Sequence, residues 1–253
     1  MFRRLSKSMY ATTVATASML LWATQVGAQE TLTQKGEALY RQDKYSEAIT
    51  LLTKAIEVNP KDDQAFRFRS ACYMSTRQYK ESLADCAAWS ALSPREARPF
   101  ERSAWIYVAN GEYKRSIECA DKAIERDPKN GDTYGYRGAA KFKLGDLAGA
   151  LSDFSKQIEF ESDCDNAYSN RASCHYELKQ YEPALADTNQ AIAILESRLK
   201  RVPDEPPPVD TAIGELYVLR SRIHLKMGQK QLAEQDNKKA MFHGVFASFS
   251  DDR

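Results

Sequence analysis

Apolar and small residues recur three and four places apart along most of this chain. In residues 30–62, Leu32, Gly36 and Leu39 keep that step, and Ala48, Leu51, Leu52 and Ala55 keep it again after a polar break at Gln42-Asp43-Lys44. A period near 3.6 gathers such residues on one face of a helix, so each half of the stretch is expected to be an amphipathic helix. The break is short, and its counterparts Asn110-Gly111-Glu112 and Leu144-Gly145-Asp146 contain the glycine that lets one helix stop and the next begin. The expected unit is two antiparallel helices.

The unit then repeats every 34 residues. Gly36, Ser70, Ala104, Gly138 and Ala172 form one row of small side chains, which Ser221 continues beyond an insertion. Ala48, Ser82, Ser116, Ala150 and Ala184 form a second row, continued by Ala233. A third holds Ala55, Ala123, Ala191 and Ala240, broken by Trp89 and Gln157. Tyr45, Tyr79, Tyr113 and Tyr181 keep the same step, and Pro60, Pro94 and Pro128 punctuate the first three units. Small residues on facing turns let two helix axes approach to the close end of the packing range, about 8 Å. One helix pair cannot shield its own apolar face, so the pairs are expected to stack into a shared core.

This ladder, clearest in Lys35-Gly36-Glu37-Ala38-Leu39-Tyr40 through Tyr45, Ala48, Leu52, Ala55 and Pro60, resembles the tetratricopeptide repeat family. The resemblance implies an all-α fold, a right-handed αα superhelix of about six helix-turn-helix repeats. Its units would be residues 29–62, 63–96, 97–130, 131–164 and 165–198, with a degenerate sixth at 214–247. It also implies that the first helices line a concave groove that holds a protein or peptide segment. Between units five and six, residues 199–213 contain Pro203, Pro206, Pro207 and Pro208, which cannot lie inside a helix and read as an extended spacer or docking motif. Gly244-Val245-Phe246-Ala247-Ser248-Phe249 is apolar but too short for a capping helix, and residues 248–253 form a tail, so an uncapped last unit would be covered by the tail or by a second subunit.

Composition adds exclusions. With 36 Lys and Arg against 35 Asp and Glu, a net charge of +1, the chain lacks the basic footprint of a nucleic-acid binder. Only 11 glycines and 9 prolines in 253 residues argue for long helices over a turn-rich β fold. Residues 1–28 are set apart: Arg3, Arg4 and Lys7 precede an uncharged stretch from Ser8 to Trp22, and Val26-Gly27-Ala28 supplies small residues for signal-peptidase cleavage. A cleaved export signal and a periplasmic or secreted location are expected. A first helix of the fold and a mitochondrial presequence are the alternatives.

No catalytic, cofactor or metal signature is present in the chain: the glycines Gly131, Gly135 and Gly138 fall at helical spacing, not in a phosphate loop, and His175, His224 and His243 lack zinc-ligand spacing. Cys174-His175 is the one nucleophile-and-base candidate, but neighbours on a helix point about 100° apart. Of the five cysteines, Cys72, Cys86 and Cys119 fall on interior faces and read as buried thiols, while Cys164 and Cys174 stand too far apart on one helix to bridge. The expected protein is a non-catalytic adaptor. A self-associating structural repeat protein and an enzyme of unfamiliar site near Cys174 and His175 are the other readings.

If the family register holds, the groove carries Arg67 and Phe68, then Arg98, Arg102 and Trp105, then Tyr136 and Phe142, then Asn170 and Tyr176. Arg, Trp and Tyr bury large areas with a polar handle and dominate binding hot spots. The arginines would favour a partner segment bearing carboxylates, which guanidinium grips bidentately. Some family members clamp the acidic tails of cytosolic chaperones with Lys and Asn, Asn, then Lys and Arg. Asn170 resembles the middle asparagine, yet Gly135, Ala139, Glu215 and Leu219 occupy the flanking positions, and Thr33, Glu37 and Phe68 depart likewise in the first units, where Arg98 and Arg102 retain only the last pair. A chaperone-tail clamp is not expected.

Overall fold

The computed structural model describes residues 31–199 and 210–245. The expected export signal, most of the proline-rich insertion and the tail lie outside the described residues. Every regular element among the described residues is a helix. In chain order these are α1 (Leu32–Tyr40), α2 (Tyr45–Val58), α3 (Asp63–Ser75), α4 (Tyr79–Leu92), α5 (Arg98–Ala109), α6 (Tyr113–Arg126), α7 (Gly131–Lys143), α8 (Leu147–Phe160), α9 (Asp165–Glu177), α10 (Tyr181–Leu199), α11 (Thr211–Lys226) and α12 (Lys230–Phe242).

Local chemistry sets the ends. Thr31 and Gln34 form a reciprocal capping box at α1, and Asp62, Asn130, Asp146 and Asp210 each accept a backbone N–H in the first turn of α3, α7, α8 and α11. Pro60, Pro94 and Pro128 stand just past α2, α4 and α6, where a residue without an N–H cannot prolong the helix. The sixth unit starts at Thr211, three residues earlier than the repeat register places it, because Asp210 supplies the cap.

Each within-pair turn is closed by a residue in the left-handed region: Gly111, Gly145 and Gly228 in three units, but Asp43, Arg77 and Lys179 in the others, with φ near +59°. An L side chain in that region costs about 1 kcal/mol or more, which glycine avoids. Lys179→Gly is therefore expected to stabilise the chain by about 0.5–1 kcal/mol, and Gly145→Ala to cost about 1 kcal/mol, since nothing lies within 4 Å of a Cβ there and only the backbone is strained. Urea midpoints of the two variants on either side of the parent would bear this out; equal midpoints would not.

The chain divides into two compact units, one ending at Leu92 and the other starting at Ser93. In the first, α1 to α4 pack in sequence, and α1 also meets α3. Its core is Ala48, Leu52, Ala55, Ala65 and Cys72, with Tyr40, Tyr45 and Phe68 against it. A Cβ on Gly36 would come within 2.6 Å of Leu52 Cγ, so the glycine is what admits the leucine.

In the second unit α5 to α12 pack in sequence, and the first helices also meet one another: α5 with α7, α7 with α9, α9 with α11. No contact of comparable extent joins the second helices α6, α8, α10 and α12 to each other. A stack that brings one set of helices closer than the other curves towards the closer set, so the first helices form the inner row. The small-residue rows lie between the helices of a pair: the hydroxyl of Ser116 donates to the carbonyl of Ala104 at 2.9 Å, and Ser221 to Ala233 at 3.0 Å. Ser82 does the same to Ser70 in the first unit, at 2.8 Å. Gly131, Gly135 and Gly138 admit Glu161, Gln157 and Phe154, each of which would lie within 3 Å of an added Cβ.

Candidate functional site

The arginines fall into two groups, and charge along the sequence does not separate them. Arg69, Arg137, Arg171 and Arg220 each stand sixteen residues before a buried aspartate on the second helix of the same pair, Asp85, Asp153, Asp187 and Asp236. All four pairs are bidentate, with N···O distances of 2.6–3.0 Å. The remaining guanidinium N–H reaches the second helix of the preceding pair: Thr53, Asp121, Ser155 and Asn189 in turn. Each guanidinium also lies over an aromatic ring one turn earlier, Phe66, Tyr134, Tyr168 or Tyr217. Burial would lower the Arg137 pKa, but the bonds to Asp153 and Asp121 raise it overall, so its charge is permanent. These arginines pin four of the pairs, α3–α4, α7–α8, α9–α10 and α11–α12, each to the one before it.

Sequence reasoning missed this set. The signal was there, an Arg and an Asp sixteen apart in four of six units with a polar residue a further sixteen back, or 31 back across the insertion.

The arginines expected in the groove lie outside this pattern. In the first unit, Arg67 donates to Gln64 at 3.1 Å and lies over the Phe68 ring at 5.2 Å. Phe68 itself leans on Tyr40, ring centroids 5.9 Å apart, and closes the unit's core from one side. In the second unit, α5 presents Arg98, exposed, with Arg102 and Trp105 partly buried. On α7, Tyr136 is partly buried, while Phe142 packs against Phe154 and Cys174. On α9, Asn170 is exposed, and Tyr176 meets Tyr181 edge-on at 5.9 Å. Phe142 and Tyr176 make these ring and core contacts while partly exposed, as Arg102, Trp105 and Tyr136 are, and Arg98 and Asn170 are exposed on the first helices.

Acidic groups join them, which the sequence reading did not single out. The Glu101 carboxyl is pushed above the usual carboxylate range by burial and then by the charge of Asp132, and Asn130 Nδ2 donates to it at 3.1 Å. Glu161 is raised for the same two reasons. Burial, followed by the charges of Asp132, Glu101 and Glu161, pushes the Tyr136 hydroxyl up as well. Basic side chains on α5 and carboxylates at the α5–α7 step therefore lie side by side.

The enzyme candidate does not assemble. Cys174 is fully buried and its thiol is pushed up to about 12 by burial, far from a reactive thiolate. His175 turns away to Gln180, Nδ1 to Oε1 at 2.7 Å. Among the described residues no group of three His, Cys, Asp or Glu is placed to hold a metal ion.

Comparison with known proteins agrees with the helical architecture. A family profile described as Tetratricopeptide repeat matches residues 33–97 and 102–163, half of the chain. The chain is 32% identical over 97 residues to Hsp70-Hsp90 organizing protein 2 of Arabidopsis thaliana, which is 38% of this chain but only 17% of that protein. Among solved structures, PilW, described as a widely conserved type IV pilus biogenesis factor, superposes with a TM-score of 0.69 at 15% identity, over 86% of this chain and 94% of its own. The pilF protein of Pseudomonas aeruginosa superposes at 0.65 with 14% identity, over 82% and 88%. At such identities the likeness is one of fold.

Proposed function

Since the chain belongs to the tetratricopeptide repeat family, we propose that it is an exported adaptor that holds an extended segment of another protein along the inner row of α5, α7, α9 and α11. Protein binding by a repeat scaffold is the function the family and the relatives support. The observation that carries the finer reading is the mixed patch at α5 and α7. Glu101 is held ionisable in a half-buried place where burial and Asp132 both oppose its charge, beside Arg98, Arg102, Trp105 and Tyr136. A scaffold gains nothing in stability from such a group, and a binding face does. The partner segment would bring a carboxylate to Arg98 and Arg102 and a cation to Glu101 and Asp132, with Trp105 and Tyr136 supplying the buried area. The Lys and Asn positions of a chaperone-tail clamp are occupied here by Gly135 and Ala139, and its Lys and Arg positions by Glu215 and Leu219, so the chaperone connection in a relative's name does not carry over to these residues.

Among the described residues no helix is long and apolar enough to cross a membrane. Export rests on residues 1–28, through the basic start and the Val26-Gly27-Ala28 site.

The test is capture from the compartment in which the chain resides, with bait whose intact mass starts at Gln29. A photo-reactive residue at Trp105 identifies the partner segment. Trp105→Ala with Arg102→Ala should then weaken capture of that segment at least tenfold, about 1.4 kcal/mol. Glu101→Gln separates binding from folding. A carboxyl whose folded pKa is raised favours the fold while protonated, and that advantage disappears as pH rises through the folded value. At neutral pH the glutamine should hence stabilise the chain while weakening capture. Unchanged capture in both variants would remove the inner row from consideration.

A further inference from the structure

A cavity of about 440 Å³ opens between α9 and α11 in the second unit, and its wall is mainly polar. Asn166, Ser169 and Ser173 line its α9 side, and Glu215, Leu219 and Arg222 line its α11 side. Three observations define the chemistry that fits it.

The first is the state of its charges. Asp165, at the rim, is held by Arg198. Among the described residues Glu215 and Arg222 have no ion-pair partner, and both are exposed. They stand seven residues apart on α11, two helical turns, so they share one face at about 10 Å along the axis. The helix thus turns a carboxylate to one end of the cavity and a guanidinium to the other.

The second is the opposite wall. The Asn166 carboxamide offers a donor and an acceptor, and the Ser173 hydroxyl, which donates to the Ser169 carbonyl at 3.0 Å, keeps its lone pairs. Neutral groups of this kind suit the N–H and C=O of an extended backbone, which find no partner within their own strand. Leu219, partly buried between the two charges, is a floor for the aliphatic stems of long side chains.

The third is the repeat register. Glu215 and Arg222 occupy the places on α11 that Arg98 and Trp105 hold on α5. The guanidinium therefore moves from one edge of the inner row to the other, and a carboxylate stands where the first arginine was. A segment of uniform charge gains at one of these places and is repelled at the other, so the row selects by the order of charges along its ligand.

We propose that the cavity between α9 and α11 is a second subsite of the inner row, one that takes a hydrophilic, extended stretch of the partner with a basic side chain against Glu215 and an acidic one three residues away against Arg222. In a polyproline II segment, residues three apart share a face and lie about 9 Å from each other, close to the separation of the two protein charges. The subsite rests on the reading of the inner row as a binding face and gives that face a charge pattern to recognise.

Blocked hexapeptides test it by NMR titration of the isotopically labelled full chain. Each has glycine at both ends and serine in the middle; the probe carries lysine at its second place and glutamate at its fifth, and two controls carry lysine or glutamate at both. The probe should shift the amides of Ser169, Ser173 and Leu219 and bind at least threefold tighter than either control. Arg222→Glu should turn the preference to the lysine control and Glu215→Lys to the glutamate control, each at least threefold with helicity unchanged. The two substitutions combined should restore the preference for the probe, which guards against a single variant that misfolds. Trp105→Ala with Arg102→Ala should leave all these preferences as they are. Equal affinity for the three peptides, preferences that ignore the substitutions, or shifts that avoid the three amides overturn the subsite. None of those results touches capture at α5 and α7, which stands or falls with the Trp105 and Arg102 variant.

Discussion

Asp153→Ala is expected to destabilise the folded chain by about 3–5 kcal/mol. Asp153 is nearly sealed from water on α8, yet it answers two cations: Arg137 bidentately at 3.0 and 2.7 Å, and Lys141 at 2.8 Å. Removing the carboxylate leaves a guanidinium, whose other carboxylate Asp121 is more than half exposed, beside an ammonium, each cation about one-fifth exposed. Neither can recover full hydration, and they repel each other. The loss should thus exceed that from Glu112→Ala, whose exposed pair with Arg115 is worth about 0.5 kcal/mol. Exchanging both partners for apolar residues of similar volume, Arg137→Met with Asp153→Leu, should restore much of the loss, because the cost lies in the orphaned charge more than in the missing pair. Urea unfolding of the single and double variants measures both quantities. A single-variant loss under 1 kcal/mol would mean that the arginine ladder is ornament at the surface and not a pin between helix pairs.

The second large effect concerns packing without charge. Phe154→Ala should cost about 3–5 kcal/mol, and Phe154→Leu distinctly less, about 1.5 kcal/mol. The ring is 1% exposed and sits among Ala150, Cys174, Phe142 and the bare backbone of Gly138. A Cβ at Gly138 would meet the ring edge at 2.9 Å, so ring and glycine are a matched pair: filling the notch or emptying the ring both spoil one contact. Deleting the ring leaves a void that the rigid helix pairs α7–α8 and α9–α10 cannot close by themselves. Calorimetry would decide it. If Phe154→Ala shifted the transition no further than Val58→Ala, at a position 78% exposed, the ring would not belong to a stacked core.

These two residues also mark how far reading the chain as letters could go. The small-residue rows at Gly36, Ala48 and their equivalents foretold helix pairs, their lengths and their stacking, because close approach of two helices demands the same side-chain size at the same turn in every unit. Trp105, Arg98 and Arg102 could be placed on the first helices from that register alone. The neighbours of Phe142 and Tyr176 could not be read from the sequence, since a helix period says which face a ring is on but not what stands opposite; here the cluster of Phe154 and Cys174 meets the one ring and Tyr181 the other.

The periodic content of the sequence by itself determined the all-helical repeat architecture, since a helix face is set by neighbours three and four places along, and that information is local. Which arginines are structural was decided only by the tertiary fold. Arg137 and Arg102 look alike in a list of charges, and the difference arises when the second helix of the pair carries Asp153 to within 3 Å of one of them. The same holds for the carboxylates. Glu101 and Asp132 are 31 residues apart in the chain, and only the stacking of α7 on α5 brings one charge to bear on the other in a half-buried place, where a water-poor surrounding lets it act.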